Sequence, residues 1–271
     1  MSLEIILILF AVGIAAGVLS GLFGVGGGIV IVPAIIWVYS IIHPGFEYTV
    51  QAAIATSLFT IIFTSLSAAH RQWKNHNIII AASLIIGLTS AITAFFFSKI
   101  SLSLPQDVLK KIFFVIIVSI AIKMLFDKKK AGDEDGEDKP VAYNKLYCII
   151  AGILAGAIAA LTGLGGGVFA TLLMHYFLKF PLKKSIGTST FAIMMTAAAG
   201  VLSYYINMPA GVHFAPYSFG MSDVIASLPI IAGSVPAARL GVYLHRKTNS
   251  FMLGKLFAVF ILIISVWLIL G

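Results

Sequence analysis

Cysteine is almost missing from this chain. Cys148 stands alone among 271 residues, which excludes an internal disulfide and any cysteine-rich metal site. Charge is scarce too: charged residues make up 10% of the chain against 60% hydrophobic ones, and the mean hydropathy is +1.05. No polar segment is long enough to form a separate soluble domain. There is no HExxH and no Cys/His cluster, so no metal site is expected. Carboxylates are thin in the apolar runs, leaving neither an acid–base pair nor a sodium cage of side chains. No catalytic group is evident and no enzyme is expected. The glycine runs have no strand before them and no Lys-Ser/Thr after them, which argues against a dinucleotide site or P-loop and against any cofactor. The N-terminus, Met1 to Phe10, carries Glu4 but no Lys or Arg. A cleavable signal peptide wants a basic start, so this segment reads as retained.

What the chain does have is apolar length. Runs at 3–20, 28–42, 49–69, 77–98, 106–126, 146–162, 167–178, 185–206, 222–244 and 250–270 reach or approach the ~20 residues that cross a bilayer core. They are continuous rather than alternating, which disfavours a β-barrel. The expected fold class is an all-α polytopic membrane protein embedded in the lipid bilayer. The net charge of +8 would suggest nucleic acid in a soluble protein; here basic loops on the cytoplasmic side explain it, and no nucleic-acid partner is expected. The hydrophilic stretch 127–145 reads as a solvated cytoplasmic linker.

The linker separates two similar halves, 1–126 and 146–271. Gly21-Leu22-Phe23-Gly24-Val25-Gly26-Gly27-Gly28 returns as Ala160-Leu161-Thr162-Gly163-Leu164-Gly165-Gly166-Gly167, and Ile54-Ala55-Thr56-Ser57 returns as Ile186-Gly187-Thr188-Ser189. Gly87 matches Gly233, and Leu109 to Phe113 matches Leu253 to Phe257, in the same order. Internal duplication is a common construction of secondary transporters.

Residues 3–42 would form a straight helix of about 60 Å, twice the ~30 Å core, so the glycine run must turn the chain back. Each half is then a glycine-tipped broken-helix hairpin plus three transmembrane helices. An odd number of crossings inverts the second half relative to the first. With hairpins, and Arg239 set aside as intramembrane, 14 Lys and Arg residues fall on one side and 3 on the other; with single crossings in their place the division is 8 against 9. The positive-inside rule favours the hairpins, with both termini outside the cell.

Inverted hairpins bring the two tips together near the midplane. Unwound backbone there must be buried in protein or line a wet cavity. The helices restarting at Gly28 and Gly167 aim their N-termini at it, and their free amides favour an anion. Gly24, Gly26, Gly27, Gly28, Gly163, Gly165, Gly166 and Gly167 are therefore candidate substrate-binding residues; the plainer reading is close helix packing. Thr56, Ser57, Thr188 and Ser189 could hydrogen-bond an oxyanion, or bond the carbonyl one turn back. Arg239 lies well inside an apolar run and could draw an anion along the inner path, or snorkel to the surface. Asp223 reads as a charge at the outer N-terminus of its helix. His70 and His175 could carry protons, the candidate coupling ion, though interfacial placement is the simpler role. Pro33, Pro229 and Pro236 are expected to kink their helices. Cys148 reads as a small core residue. Trp37, Tyr39, Trp73, Tyr204, Tyr205 and Trp267 are expected in an interfacial belt.

The doubled Leu-Phe/Thr-Gly-x-Gly-Gly-Gly element, the Ala/Gly-Thr-Ser that follows it, the length and the central linker resemble the sulfite exporter TauE/SafE family over essentially the whole chain. The resemblance implies a bacterial plasma-membrane transporter that moves sulfite, sulfoacetate or a related anion by alternating access, with export the implied direction. Ala55 departs from the Gly-Thr-Ser of the second half, so the two halves could contribute unequally. An importer of sulfate, thiosulfate or a carboxylate, and an anion channel, are the alternatives within transport. A membrane enzyme or assembly factor would need a reactive polar cluster that the sequence lacks.

Overall fold

The computed structural model describes residues 1–126, 143–212, 217–247 and Leu262. Among them, the chain runs α1 (Leu3–Phe23), α2 (Gly28–Ile42), α3 (Thr49–Lys74), α4 (Ile80–Ser103), α5 (Gln106–Phe126), α6 (Lys145–Thr162), α7 (Gly167–Tyr176) and α8 (Leu182–Ile206). A two-residue antiparallel ribbon, β1 (Ser218–Phe219) and β2 (Ser222–Asp223), leads into α9 (Val224–Lys247). The all-α membrane class follows: α1, α3, α4, α6, α8 and α9 are each long and apolar enough to cross a bilayer. The apolar run 250–270, most of the linker, Trp267, and Lys128, Lys129, Lys130, Lys139 and Lys255 from the charge count lie outside the described residues.

The side-chain pattern is inside-out relative to a water-soluble helix bundle, and α4 shows why. Leu84, Leu88, Ile92 and Phe96 recur every four residues and are exposed, while Ser83, Gly87, Ser90, Ala94 and Ser98 are buried on another face. A helix exposing large aliphatic groups and burying hydroxyls gains nothing in water. In lipid the apolar stripe is solvated by acyl chains, and small residues bring helices close enough for dispersion and hydroxyl hydrogen bonds to hold them.

The close pairs join the two halves. On α1, Gly13, Gly17 and Gly21 form a stripe against α9: a Cβ at Gly13 would lie 2.8 Å from Ile230 Cα, one at Gly17 2.7 Å from Ser234 Cα, and one at Gly21 2.6 Å from Val242 N. The equivalent α6 positions face α4: a Cβ at Gly152 would lie 2.8 Å from the Ile86 carbonyl oxygen and one at Gly156 2.9 Å from Ser90 Cα. In both pairs backbones touch where a methyl group would not fit. Helices α3 and α8 pack on one another between these pairs. Thr64 Oγ on α3 lies 2.7 Å from Ser234 Oγ on α9, and Ser90 on α4 bonds Thr196 on α8 in the matching place. A first-half helix thus pairs with a second-half helix, and the exchange is repeated in reverse.

Two residues expected in the interfacial belt are elsewhere. Tyr39 and Tyr204 are fully buried, whereas Trp37, Trp73 and Tyr205 are exposed. The reason is polar satisfaction. The Tyr204 hydroxyl donates to Ser101 Oγ at 2.9 Å and to the Ala160 carbonyl at 3.0 Å, and Tyr39 bonds Thr56, so both rings have internal partners. Cys148 is buried, as expected of a core residue.

Candidate functional site

Both glycine loops have the same local build. Helix α1 ends at Gly24 (φ +66°), whose N–H donates to the Ser20 carbonyl at 2.8 Å; α6 ends at Gly163 (φ +69°), whose N–H donates to the Ala159 carbonyl at 2.8 Å. Gly26 (φ +81°) and Gly27 (φ +86°) then reverse the chain, as Gly165 (φ +70°) and Gly166 (φ +74°) do in the second copy. The left-handed region costs a residue with a Cβ about 1–2 kcal/mol, so three such positions within four residues select glycine. The return arms α2 and α7 start on Gly27 and Gly166 caps without a side-chain acceptor. Their first-turn amides keep their partial positive charge.

The structure brings the two tips into contact. A Cβ on Gly28 would run into the Gly163 carbonyl oxygen and lie 2.8 Å from Leu164 Cα. A Cβ on Gly167 would run into the Gly24 carbonyl oxygen, the reciprocal contact. The fully buried Ile61 of α3 and the buried Ile193 of α8 cover this junction. Cβ positions built on Gly26 would fall 3.3 Å from Ile61 Cγ2 and 3.5 Å from Ile193 Cγ2; on Gly165, 3.3 Å and 2.9 Å from the same two methyls.

The four hydroxyls are buried beside the tips, each with partners. Ser57 Oγ donates to the Gly163 carbonyl at 2.9 Å, tying α3 to the opposite tip. Ser189 Oγ lies 2.7 Å from Thr171 Oγ and donates to the Ile186 carbonyl at 3.0 Å; a Cβ on Gly24 would sit 2.9 Å from it. Thr56 and Thr188 perform matching tasks across the halves. Thr188 Oγ accepts from Ile79 N–H at 3.0 Å, just before α4, and Thr56 Oγ accepts from Asp223 N–H at 3.0 Å, just before α9. Thr56 also donates to the Ala52 carbonyl at 2.7 Å, the one-turn-back bond its residue type predicts.

Arg239 lies apart from the tips. It is exposed on α9, and its Nε donates to Ser67 Oγ at 3.2 Å. His70 is exposed, and His175 Nδ1 is 2.9 Å from the Phe180 carbonyl. Asp223 caps α9 as its position predicts, its Oδ1 accepting from Ala226 N–H at 2.9 Å; it is also buried, with only 4% of its surface exposed. Pro33 lies inside α2, and Pro229 and Pro236 lie inside α9.

Sequence reading left Ile61 and Ile193 unnamed, and it gave Tyr39 an interfacial place and Asp223 the role of a helix-end charge. Ile61 and Ile193 each stand five places after the repeated threonine, so extending the internal alignment by one turn would have found them. Tyr39 and Asp223 carry no such signal. They are far apart in sequence and are brought together at Thr56.

An apolar exterior, backbone-close helix pairs and a buried, glycine-lined junction define a multi-pass membrane protein. The family model described as "Sulfite exporter TauE/SafE" matches residues 9–268, and the chain belongs to that family, a family of membrane transporters. It is 30% identical to a "Probable membrane transporter protein" of Haemophilus influenzae, over 96% of this chain and 97% of that one. It is 27% identical to "Probable membrane transporter protein MJ0441" of Methanocaldococcus jannaschii, over 89% and 87% of the two chains. Identity is also 27% with "Probable membrane transporter protein YunE" of Bacillus subtilis, over 97% and 96%. No solved structure matches the chain.

Proposed function

We propose that this protein is a secondary transporter of a small sulfur-containing anion, such as sulfite, sulfoacetate or a related organosulfonate, and that the anion binds at the two glycine tips. The observation that carries the reading is the reciprocal junction itself. Gly28 lies against the Gly163 carbonyl and Gly167 against the Gly24 carbonyl, with the uncapped N-termini of α2 and α7 beside them. Two helix N-termini at one point form a strong positive field with no fixed cation to trap the guest, which suits a site that must also release it. Thr56, Ser57, Thr188 and Ser189 supply hydroxyls that can turn toward an oxyanion. Ile61 and Ile193 close over the tips, so the conformation fits an occluded state of an alternating-access cycle. Arg239 would act farther along the inner path, at a distance from the bound anion.

In this reading the halves 1–126 and 146–271 are inverted repeats that rock about the junction. The linker is cytoplasmic, both termini lie outside, the membrane is the bacterial plasma membrane, and the direction is export. The sulfur-anion class comes from the family's own description, and the glycine site accounts for it chemically: bare amides read charge and shape, not a particular substituent. Purified protein in proteoliposomes should exchange labelled sulfite and sulfoacetate saturably, each competing with the other, without unitary currents. Folded protein that moves neither anion overturns the substrate, and large unitary currents overturn the alternating-access cycle.

A further inference from the structure

Among the described residues Asp223 is the one buried carboxylate; Glu4, Glu47 and Asp107 are all exposed. Its surroundings form a chain of hydroxyls. The Tyr39 hydroxyl faces Asp223 and lies 3.1 Å from Thr56 Oγ, which accepts the Asp223 N–H at 3.0 Å and in turn reaches the Ala52 carbonyl at 2.7 Å. Ser222 Oγ donates to the Ala55 carbonyl at 3.1 Å and Ser227 Oγ to the Asp223 carbonyl at 2.6 Å, closing the backbone around the acid.

The other half of the molecule shows what this joint needs for folding alone. There Thr188 receives the N–H of Ile79 in the way Thr56 receives that of Asp223, and the threonine–amide link forms with an isoleucine in the acid's place. The position corresponding to Tyr39 in the register of the glycine loops is Leu178, also apolar and buried. The same scaffold therefore stands without acid or phenol on one side, and both are added together on the other. A buried acid inside a membrane protein is expensive and points to a functional role.

Proton accounting gives the chain two states. With the carboxylate ionised, Tyr39 donates to it and accepts from Thr56, whose proton leaves the Ala52 carbonyl. With the carboxyl protonated, its O–H donates to Tyr39, Tyr39 to Thr56, and Thr56 to Ala52. Each state satisfies every hydroxyl, and one proton from water, added to one carboxylate, reverses the chain. Thr56 adjoins Ser57, which holds the opposite glycine tip through the Gly163 carbonyl. The groups facing Asp223 are few. Tyr39 comes from α2, with His43 edge-on to it at 6.1 Å between ring centroids; α3 contributes Thr56. On α8, which also packs against β2, Tyr204 turns its hydroxyl away to Ser101 and Ala160.

We propose that Asp223 is the proton-binding site of this transporter, relayed by Tyr39 and Thr56 to the glycine junction, so that protonation and anion movement are coupled. Proton binding at Asp223 stands on this geometry alone; its coupling to an anion rests on the function proposed above.

The test uses full-length protein in phosphatidylethanolamine–phosphatidylglycerol vesicles and two readouts. Infrared difference spectra between acid and alkaline pH should show a protonated-carboxyl band that disappears in Asp223→Asn and shifts in frequency in Tyr39→Phe. Asparagine caps helices as well as aspartate, so the variant keeps the start of α9. Identical difference spectra in wild type and Asp223→Asn overturn the proposal, as does an unshifted band in Tyr39→Phe, which decides the matter even if Asp223→Asn fails to fold. In the second readout, labelled sulfoacetate accumulation in wild type follows an imposed pH gradient, a response Asp223→Asn loses and Asp223→Glu partly restores. A variant that follows the gradient as wild type does overturns the coupling. If wild type moves no sulfoacetate or sulfite, the proposed function fails, while the infrared band still decides whether Asp223 binds a proton.

Discussion

Alanine at Gly28 or Gly167 tests the junction most directly. A Cβ at Gly28 would stand 2.8 Å from Leu164 Cα and closer still to the Gly163 carbonyl, while carbon atoms rest at about 3.5–4.0 Å. The tips would have to part by roughly 1 Å. Backbone meets both added methyls and cannot swing away as a flexible side chain can; at Gly167 the Ile193 side chain lies in the way as well. Overpacking of this kind costs about 1–3 kcal/mol, and the upper end applies here. Replacing glycine by alanine in a helix returns up to about 1 kcal/mol, so each variant should lose about 2 kcal/mol net. At about 2–4 °C per kcal/mol for chains of 150–250 residues, the unfolding temperature should fall by about 4–8 °C. The two contacts share one interface, so the first methyl group opens the gap that the second needs. The double variant should therefore lose less than the sum of the singles. Thermal unfolding of the detergent-purified full chain, followed by loss of the monodisperse peak in size-exclusion chromatography, measures all three. Gly45→Ala is the control: nothing lies within 4 Å of the added methyl, and only its φ of +79° is penalised. Unchanged unfolding temperatures for Gly28→Ala and Gly167→Ala, or strictly additive losses, would refute the contact between the tips.

Ile61→Ala and Ile193→Ala should each cost about 2–5 kcal/mol as buried large-to-small changes, yet raise the initial rate of sulfoacetate flux by uncovering the tips; a rate that falls in proportion to folded protein would remove the isoleucines as a cover. Thr188→Val strands the part-buried Ile79 amide and should cost about 1–3 kcal/mol, read in the same unfolding assay. Thr56→Val strands the Asp223 amide and removes a Tyr39 partner, so it should cost more than Thr188→Val; the reverse order would contradict the hydrogen bonds described here. A reporter active only in the cytoplasm, fused after Gly271, should stay silent in cells, and strong activity would overturn the proposed orientation.

Much of this molecule could be read from its residues alone. Membrane class follows from apolar runs, because burying or lipid-solvating so much hydrocarbon leaves no water-soluble alternative. The loop turns follow from the glycines, since only residues without a Cβ enter the left-handed region at three of four places without strain. Even the boundaries of α2 and α7 at Gly28 and Gly167 agree, because a helix can restart only where the left-handed residues end. What no local pattern contained is who touches whom. That α1 pairs with α9 and α6 with α4, that Ser57 holds the Gly163 carbonyl, and that Tyr39 meets Asp223 through Thr56 are long-range choices. They depend on which small-residue stripes fit backbone to backbone and which buried hydroxyls find partners once those stripes close. Those energies exist only between segments, so they are decided by the tertiary structure and are invisible to any window of sequence.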